Sequence, residues 1–145
     1  MKKFLVVGCI LACGLIGCKD PYATAVKVDN DVAAVIAAAE PAVTQLADNG
    51  DISAVEAGRI LDYLNAANTL DGEFGSCIQI VHASNGTTKA SATGYAACGQ
   101  QFLAGLQNPT LLADLQVTNP ASQAKVMLIA NSISLIITVA LAAGL

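Results

Sequence analysis

The chain has 145 residues and a formal net charge of −4, because eleven acidic residues outnumber seven basic ones. An acidic chain with dispersed cations lacks the basic patch that nucleic-acid binding requires. Apolar residues make up 54% of the chain, aromatic residues make up only 4%, and tryptophan is absent. The core must therefore be built mainly from alanine, valine, isoleucine and leucine, and the length suits one domain.

The chain begins with the pattern of a secretory signal. Lys2 and Lys3 precede an uncharged apolar run from Phe4 to Gly17. This run is too short to span a bilayer as a helix, because a span takes about 20 residues. The run leads into Leu15-Ile16-Gly17-Cys18. This motif resembles the lipobox of bacterial lipoprotein precursors, in which a small residue precedes the cysteine that carries the lipid.

The resemblance implies that residues 1–17 are a signal peptide, cut between Gly17 and Cys18, and that the Cys18 thiol carries the lipid. Cys13 has similar neighbours and stays open as a second position, but polar residues begin directly after Cys18. An ordinary secretory signal or an uncleaved anchor is the other alternative. Two or more acyl chains hold a protein stably on a membrane. We therefore expect a cell-envelope protein anchored through its N-terminal acyl chains, with no cofactor besides this lipid.

The residue after the lipidated cysteine bears on the localisation. In enteric lipoproteins an aspartate at this position marks retention in the inner membrane, and here the residue is Lys19. The resemblance therefore implies the outer membrane, facing the periplasm, if the host is Gram-negative.

Cleavage also changes the charge and the cysteines that remain. Loss of Lys2 and Lys3 leaves five basic and eleven acidic residues, a net charge of −6. With Cys18 lipidated, Cys77 and Cys98 are left as a pair. In an oxidising compartment such a pair is expected to form a disulfide, and two buried free thiols are the alternative.

The mature chain predicts an all-α fold. Residues 18–29 are expected to form a lipidated tether and residues 30–145 a helical domain. Asp29-Asn30-Asp31 offers N-caps for a first helix. Pro41 lies on its polar side and predicts a kink, and Asn49-Gly50 ends it. The apolar residues of this helix share one face: Val32, Val35, Ile36, Val43 and Leu46.

The second helix is expected to be followed by a loop. Ser53-Ala54-Val55-Glu56 has the spacing of a capping box, and the helix that it starts should run to about Leu70. Asp71-Gly72-Glu73-Phe74-Gly75 predicts a loop. Residues 77–83 fit a short helix or a strand turning at Asn85-Gly86. We favour the helix because the residues that follow have a helical pattern.

The C-terminal third predicts further helices. Residues 90–106 form one helical pattern, which Asn108-Pro109 ends, and residues 110–115 predict one more turn. The last helix is expected to run from Asn119-Pro120, with proline at its favoured first position, to about Ala143.

The last helix contains an uncharged stretch of membrane-spanning length from Val126 to Leu145. A helix that is apolar nearly all round is either central in a bundle or inserted in a membrane. We favour a buried central helix, because the other helices carry apolar stripes that need a partner and a second anchor would obstruct release to the outer membrane. Membrane insertion stays open. The predicted fold is a small bundle of four to five helices with a hydrophobic C-terminal helix and one Cys77–Cys98 disulfide.

One segment resembles part of a metal site. Asp48 to Glu56 is similar to the second half of an EF-hand or dockerin calcium loop. However, Gln45 and Ala47 occupy ligand positions where carboxylates belong. The capping box explains the same residues without a metal. We therefore expect no calcium site.

Two further features carry no catalytic prediction. His82 is the only histidine, so a zinc site is not expected, and a Cys–His hydrolase would need Cys77 as a free, activated thiol. Asp71 and Glu73 are a local acidic pair in a predicted glycine-rich loop, which is ordinary turn chemistry. We therefore expect neither an enzymatic activity nor a metal site in this chain.

The sequence therefore predicts a lipid-anchored envelope protein that is not an enzyme and that binds a protein partner or organises the envelope. Two alternatives stay open. One is a carrier of apolar ligands held between the helices. The other is a membrane-active protein, similar to phage-exclusion lipoproteins, that uses the helix over residues 126–145.

Overall fold

The computed structural model describes residues 20–85, 89–114 and 119–142. These residues form five helices, and no strand occurs among them. The helices are α1 (Pro21–Asp48), α2 (Ala54–Asn85), α3 (Lys89–Leu106), the short α4 (Pro109–Asp114) and α5 (Pro120–Ala142). The all-α prediction is confirmed, and residues 77–83 are helical as favoured. The predicted signal peptide and the lipobox lie outside the described residues.

The four long helices alternate in direction, as in an up-down-up-down bundle. Tyr22 at the start of α1 stacks on His82 near the end of α2, so these two helices are antiparallel. The Tyr63 hydroxyl of α2 lies 3.5 Å from the Leu106 carbonyl at the end of α3. The start of α1, the end of α2, the start of α3 and the end of α5 therefore share one end of the bundle.

The core is built from small and branched aliphatic side chains, as the composition predicts. Val28 and Val32 of α1, Ile60 of α2 and Ile133 and Ile137 of α5 are fully buried. Aromatic rings add to it: Phe74 and Phe102 pack with ring centroids 5.6 Å apart. The other large buried side chains are Tyr63, Tyr95, Ile36, Leu64, Ile78 and Val126.

The disulfide prediction is confirmed. Cys77 of α2 and Cys98 of α3 are bonded, with Cα atoms 5.8 Å apart, inside the range that a disulfide spans without moving the backbone. Cys98 is buried and Cys77 is half-buried. The bond links the last third of α2 to the middle of α3.

The start of the domain corrects the expected tether. Asp20 caps α1 by accepting a hydrogen bond from the Tyr22 backbone N–H at 3.0 Å, and Pro21 occupies the first turn. Residues 21–29 are therefore helical rather than a tether, and they place Ala25 and Val28 in the core. Proline has no backbone N–H, so it leaves no donor unpaired in the first turn of a helix. This explains why the helix begins there.

Two further expectations are corrected. Residues 71–75 were predicted to form a loop, but α2 continues through them to Asn85. Tertiary packing overrides the weak helix propensity of Gly72 and Gly75. The last helix is not central: α5 packs by one face, which includes Val126 and Ile133, and leaves the opposite face exposed.

Candidate functional site

The predicted lipid-attachment residue, Cys18, and the predicted cleavage residue before it, Gly17, lie outside the described residues. The described part of the chain begins close to them: the Asp20 cap and Pro21 start α1 only two to three residues after Cys18. The end of the bundle where α1 starts is thus the end nearest the predicted anchor.

Aromatic side chains cover this end. Tyr22 and His82 stack with ring centroids 3.8 Å apart and an interplanar angle of 16°. The Tyr95 hydroxyl lies 3.4 Å from His82 Nδ1, and the Tyr22 and Tyr95 centroids are 6.2 Å apart. We call Tyr22, His82 and Tyr95 the aromatic end. Tyr95 is buried, whereas the partly exposed rings of Tyr22 and His82 combine an apolar body with a polar tip, a combination suited to a membrane–water interface.

The contacts of His82 and Cys77 bear on the catalytic alternatives. His82 is stacked on Tyr22 and lies beside the Tyr95 hydroxyl. Cys77 is bonded to Cys98 and so offers no thiol for His82 to activate. Within residues 20–85, 89–114 and 119–142, no group of three or more His, Cys, Asp or Glu side chains is placed to hold a metal ion.

The capping box is confirmed at the start of α2. The Ser53 N–H donates to Glu56 Oε2 at 2.8 Å, and the Glu56 N–H donates to Ser53 Oγ at 3.2 Å. The Ser122 hydroxyl of α5 donates to Glu56 Oε1 at 3.0 Å. Hydrogen bonds from Ser53, and then from Ser122, lower the pKa of the Glu56 carboxyl. This carboxylate, which the calcium alternative would need as a ligand, joins α2 to α5 instead.

A carboxylate pair that the sequence did not reveal lies between α1 and α2. Asp71 was expected in a loop, but it is only 8% exposed, and its Oδ1 atom has no hydrogen-bond partner. Asp29 of α1 is half-buried nearby. Burial, and then the charge of Asp29, raise the pKa of Asp71 to about 6. Glu73, the other member of the predicted acidic pair, is exposed.

Large apolar side chains are exposed along one side of α5. Met127, Leu128 and Leu135 are 45%, 64% and 58% exposed. Five of the exposed positions along this helix follow one another at alternating intervals of three and four residues, which is the spacing of a coiled-coil seam. We call them the α5 stripe: Leu128, Asn131, Leu135, Thr138 and Ala142.

The prediction of possible membrane insertion also concerns α5. Its 23 residues are long and apolar enough to cross a membrane, but 28% of the most apolar window is buried inside the bundle. Ala130 of this helix is buried, whereas Thr138 and Ala142 are exposed. One side of the helix is thus committed to the protein, and the other is free to meet a second surface.

An open groove lies at the opposite end of α3 from the aromatic end. It has a volume of about 420 Å³, and its lining is mixed, with polar side chains beside aliphatic ones. Leu70 of α2 fits here against Gly105 of α3, where a Cβ atom would lie 2.8 Å from Leu70 Cδ2. A carrier of apolar ligands would use an enclosed apolar cavity, whereas this groove opens to solvent. The lining residues are Ala66, Thr69, Leu70, Gly105, Asn108, Thr110 and Leu111.

Comparisons of the chain with protein-family models, with curated proteins and with solved structures found no match.

Proposed function

We propose that the chain is a lipid-anchored cell-envelope protein, attached through Cys18, that binds a helix of a protein partner on its α5 stripe and has no catalytic role. If the host is Gram-negative, the anchor lies in the outer membrane and the bundle faces the periplasm. The observation that carries the binding role is the exposed α5 stripe, an uncharged seam of heptad spacing with two leucines, on a helix whose one charged residue is Lys125.

The start of α1 supports a fixed position of the bundle relative to the membrane. From Cys18 to Pro21 there are three residue steps, which reach about 11 Å at full extension. So short a connection holds the start of α1, and with it the aromatic end, close to the lipid surface. The α5 stripe then runs away from the membrane along the side of the bundle.

The composition of the α5 stripe supports a helical partner. Leu128 and Leu135 are one heptad apart, and Asn131 lies between them. In coiled coils, leucines at such positions provide the contact area, and a single asparagine selects register and partner at some cost in stability. A partner helix with an apolar stripe of the same spacing would cover these side chains.

Site-specific photo-crosslinking in the native host tests this role. A photoreactive phenylalanine derivative replaces Leu128 or Leu135, and matched control variants carry it at Val55 or Ile80, which are equally exposed aliphatic residues on α2. We expect one discrete protein adduct from both α5 positions and none from the α2 positions. Adducts of the same kind from all four positions, or from none, would refute a partner site on the α5 stripe.

The membrane-active alternative rests on the same exposed side chains, together with the length of α5. It predicts adducts to lipid rather than to protein from Leu128 and Leu135. It also predicts that a Cys18→Ala form with a replaced signal needs detergent. A soluble monomer without detergent would exclude it.

A further inference from the structure

A carboxylate oxygen without a hydrogen-bond partner is enclosed between α1 and α2. The Oδ1 atom of Asp71 is closed to solvent and accepts no hydrogen bond within the described part of the chain. An ionised carboxylate in such a place loses its hydration without gaining a partner, which is costly enough that the group tends to take up a proton. The position of Asp71 therefore calls for a proton or a cation.

The charged group that acts on Asp71 is a second carboxylate, that of Asp29. A Cβ atom at Gly75 would lie 3.0 Å from Asp29 Oδ1 and 3.1 Å from Oδ2, so Asp29 lies against the α2 backbone one turn beyond Asp71. Burial raises the pKa of Asp29, and the charge of Asp29 contributes to the raised pKa of Asp71. Two carboxylates in one partly buried seam cannot both ionise without mutual repulsion.

No basic side chain in the described ranges neutralises this pair. Lys27, the basic residue nearest in sequence to Asp29, forms an ion pair with Asp31 on the same helix. On α5 no residue from Val126 to Ala142 is charged or titratable. Arg59, the basic residue of α2, precedes Asp71 by twelve residues, which is about 18 Å along the helix. Other titratable groups on α2 and α3 include the exposed Glu73, His82 against Tyr22, Tyr95 beside His82, and disulfide-bonded Cys98.

We propose that Asp29 and Asp71 form a proton-binding pair that strengthens the contact between α1 and α2 when it takes up a proton and weakens this contact when both carboxyls ionise. The proton comes from solvent, and the protonated carboxyl donates its O–H to the carboxylate of the other residue. Because α1 begins next to the predicted anchor, the pair couples acidity in the envelope to how firmly the anchored helix is held.

The sign of the effect follows from the folded pKa. The carboxyl of Asp71 has a pKa of about 6 in the folded chain against 3.8 ordinarily, so the folded state binds the proton more tightly than the unfolded state. Stability therefore rises as pH falls through about 6, and it stops rising near pH 3.8, where the unfolded chain also protonates. These two values make the unfolding constant about tenfold smaller at pH 5 than at pH 7.5.

Equilibrium urea unfolding of the full chain, expressed with its own signal and purified in mild detergent, tests the proposal. We expect the unfolding constant of the wild type to fall about tenfold from pH 7.5 to pH 5. In Asp71→Asn this fall should disappear, and the variant should be more stable than the wild type at pH 7.5. The matched control Asp62→Asn, an exposed aspartate on the same helix, should keep the wild-type pH dependence.

Three results would overturn the proposal. The first is an unchanged pH dependence in Asp71→Asn. The second is stabilisation of the wild type, but not of Asp71→Asn, by 5 mM CaCl₂ or MgCl₂ at pH 7.5, which would make the pair a cation site. The third comes from carboxyl ¹³C NMR of the wild type, which decides the matter even if the variant fails to fold: an aspartate that titrates near pH 6 supports the pair, and titration of every aspartate below pH 5 contradicts it.

Discussion

Removal of the Cys77–Cys98 disulfide should destabilise the bundle substantially. The bond closes a segment with a sequence separation of 21 residues. In the chain-entropy model, loss of such a closure gives the unfolded chain freedom worth about 3 kcal/mol at 25 °C. The Cα separation of 5.8 Å is ordinary for a disulfide, so the fold itself does not oppose the bond. We therefore expect the double variant Cys77→Ala, Cys98→Ala to lose about 3 kcal/mol of unfolding free energy.

The assay is urea denaturation followed by far-UV circular dichroism, with wild type and double variant at the same pH. Each single variant should lose about as much as the double variant, because one cysteine alone makes no bond. Loss of the buried Cys98 sulfur, which leaves only the Cβ methyl group, should add a smaller packing loss. A loss below about 1 kcal/mol would show that the disulfide does not constrain the unfolded chain, and the reasoning would fail.

Three smaller changes test the helix starts and the close approach of α2 and α3. Ser53→Ala should cost about 1 kcal/mol of unfolding free energy, because the Glu56 N–H loses its acceptor; an unchanged urea midpoint would show that the capping box contributes little. Gly94→Ala should destabilise the bundle by up to about 2 kcal/mol, because its Cβ would lie 2.6 Å from Cγ1 of the stiff Val81 side chain. Gly58→Ala, in open space on an exposed helix surface, is the matched control and should stabilise by about 0.5–1 kcal/mol; equal effects of the two glycine changes would contradict the packing described for α2 and α3.

The helices and the disulfide could be predicted because their causes are local or follow from counting. Asn119-Pro120 starts α5, as a cap followed by proline predicts. The Asn119 Oδ1 atom accepts a hydrogen bond from the Ala121 N–H at 2.8 Å. The capping box at Ser53 is likewise a spacing rule that needs no tertiary information. The pairing of Cys77 with Cys98 followed from their being the two cysteines left over once Cys18 was assigned to the lipid.

The buried carboxylate pair could not be predicted because its cause is tertiary. Gly72 and Gly75 favour a loop by propensity, but at Gly75 the absence of a side chain gives the Asp29 carboxylate room against α2. That contact joins residues far apart in sequence, and nothing in the local pattern announces it. The local pattern therefore predicts a loop at Asp71, whereas the side chain is enclosed between two helices. Departures from local rules of this kind concentrate at strained or functional positions.

The exposure of α5 could also not be decided from its composition. An uncharged helix satisfies the same pattern whether it is central, membrane-spanning or half-covered. Which positions are covered depends on how α1, α2 and α3 meet it, and they cover the side that holds Val126 and Ile133. The heptad spacing from Leu128 to Ala142 indicates a surface for a partner helix because that side of α5 is exposed.

Lipid attachment at Cys18 is the premise on which the envelope location and the orientation of the bundle depend, and metabolic labelling with a radioactive fatty acid tests it most directly. The wild type, Cys18→Ser and Cys13→Ser are expressed with the native signal, and the label is followed on a denaturing gel. We predict that the label is present in the wild type and in Cys13→Ser and is lost in Cys18→Ser. Label retained in Cys18→Ser, or lost only in Cys13→Ser, would contradict the anchor at Cys18.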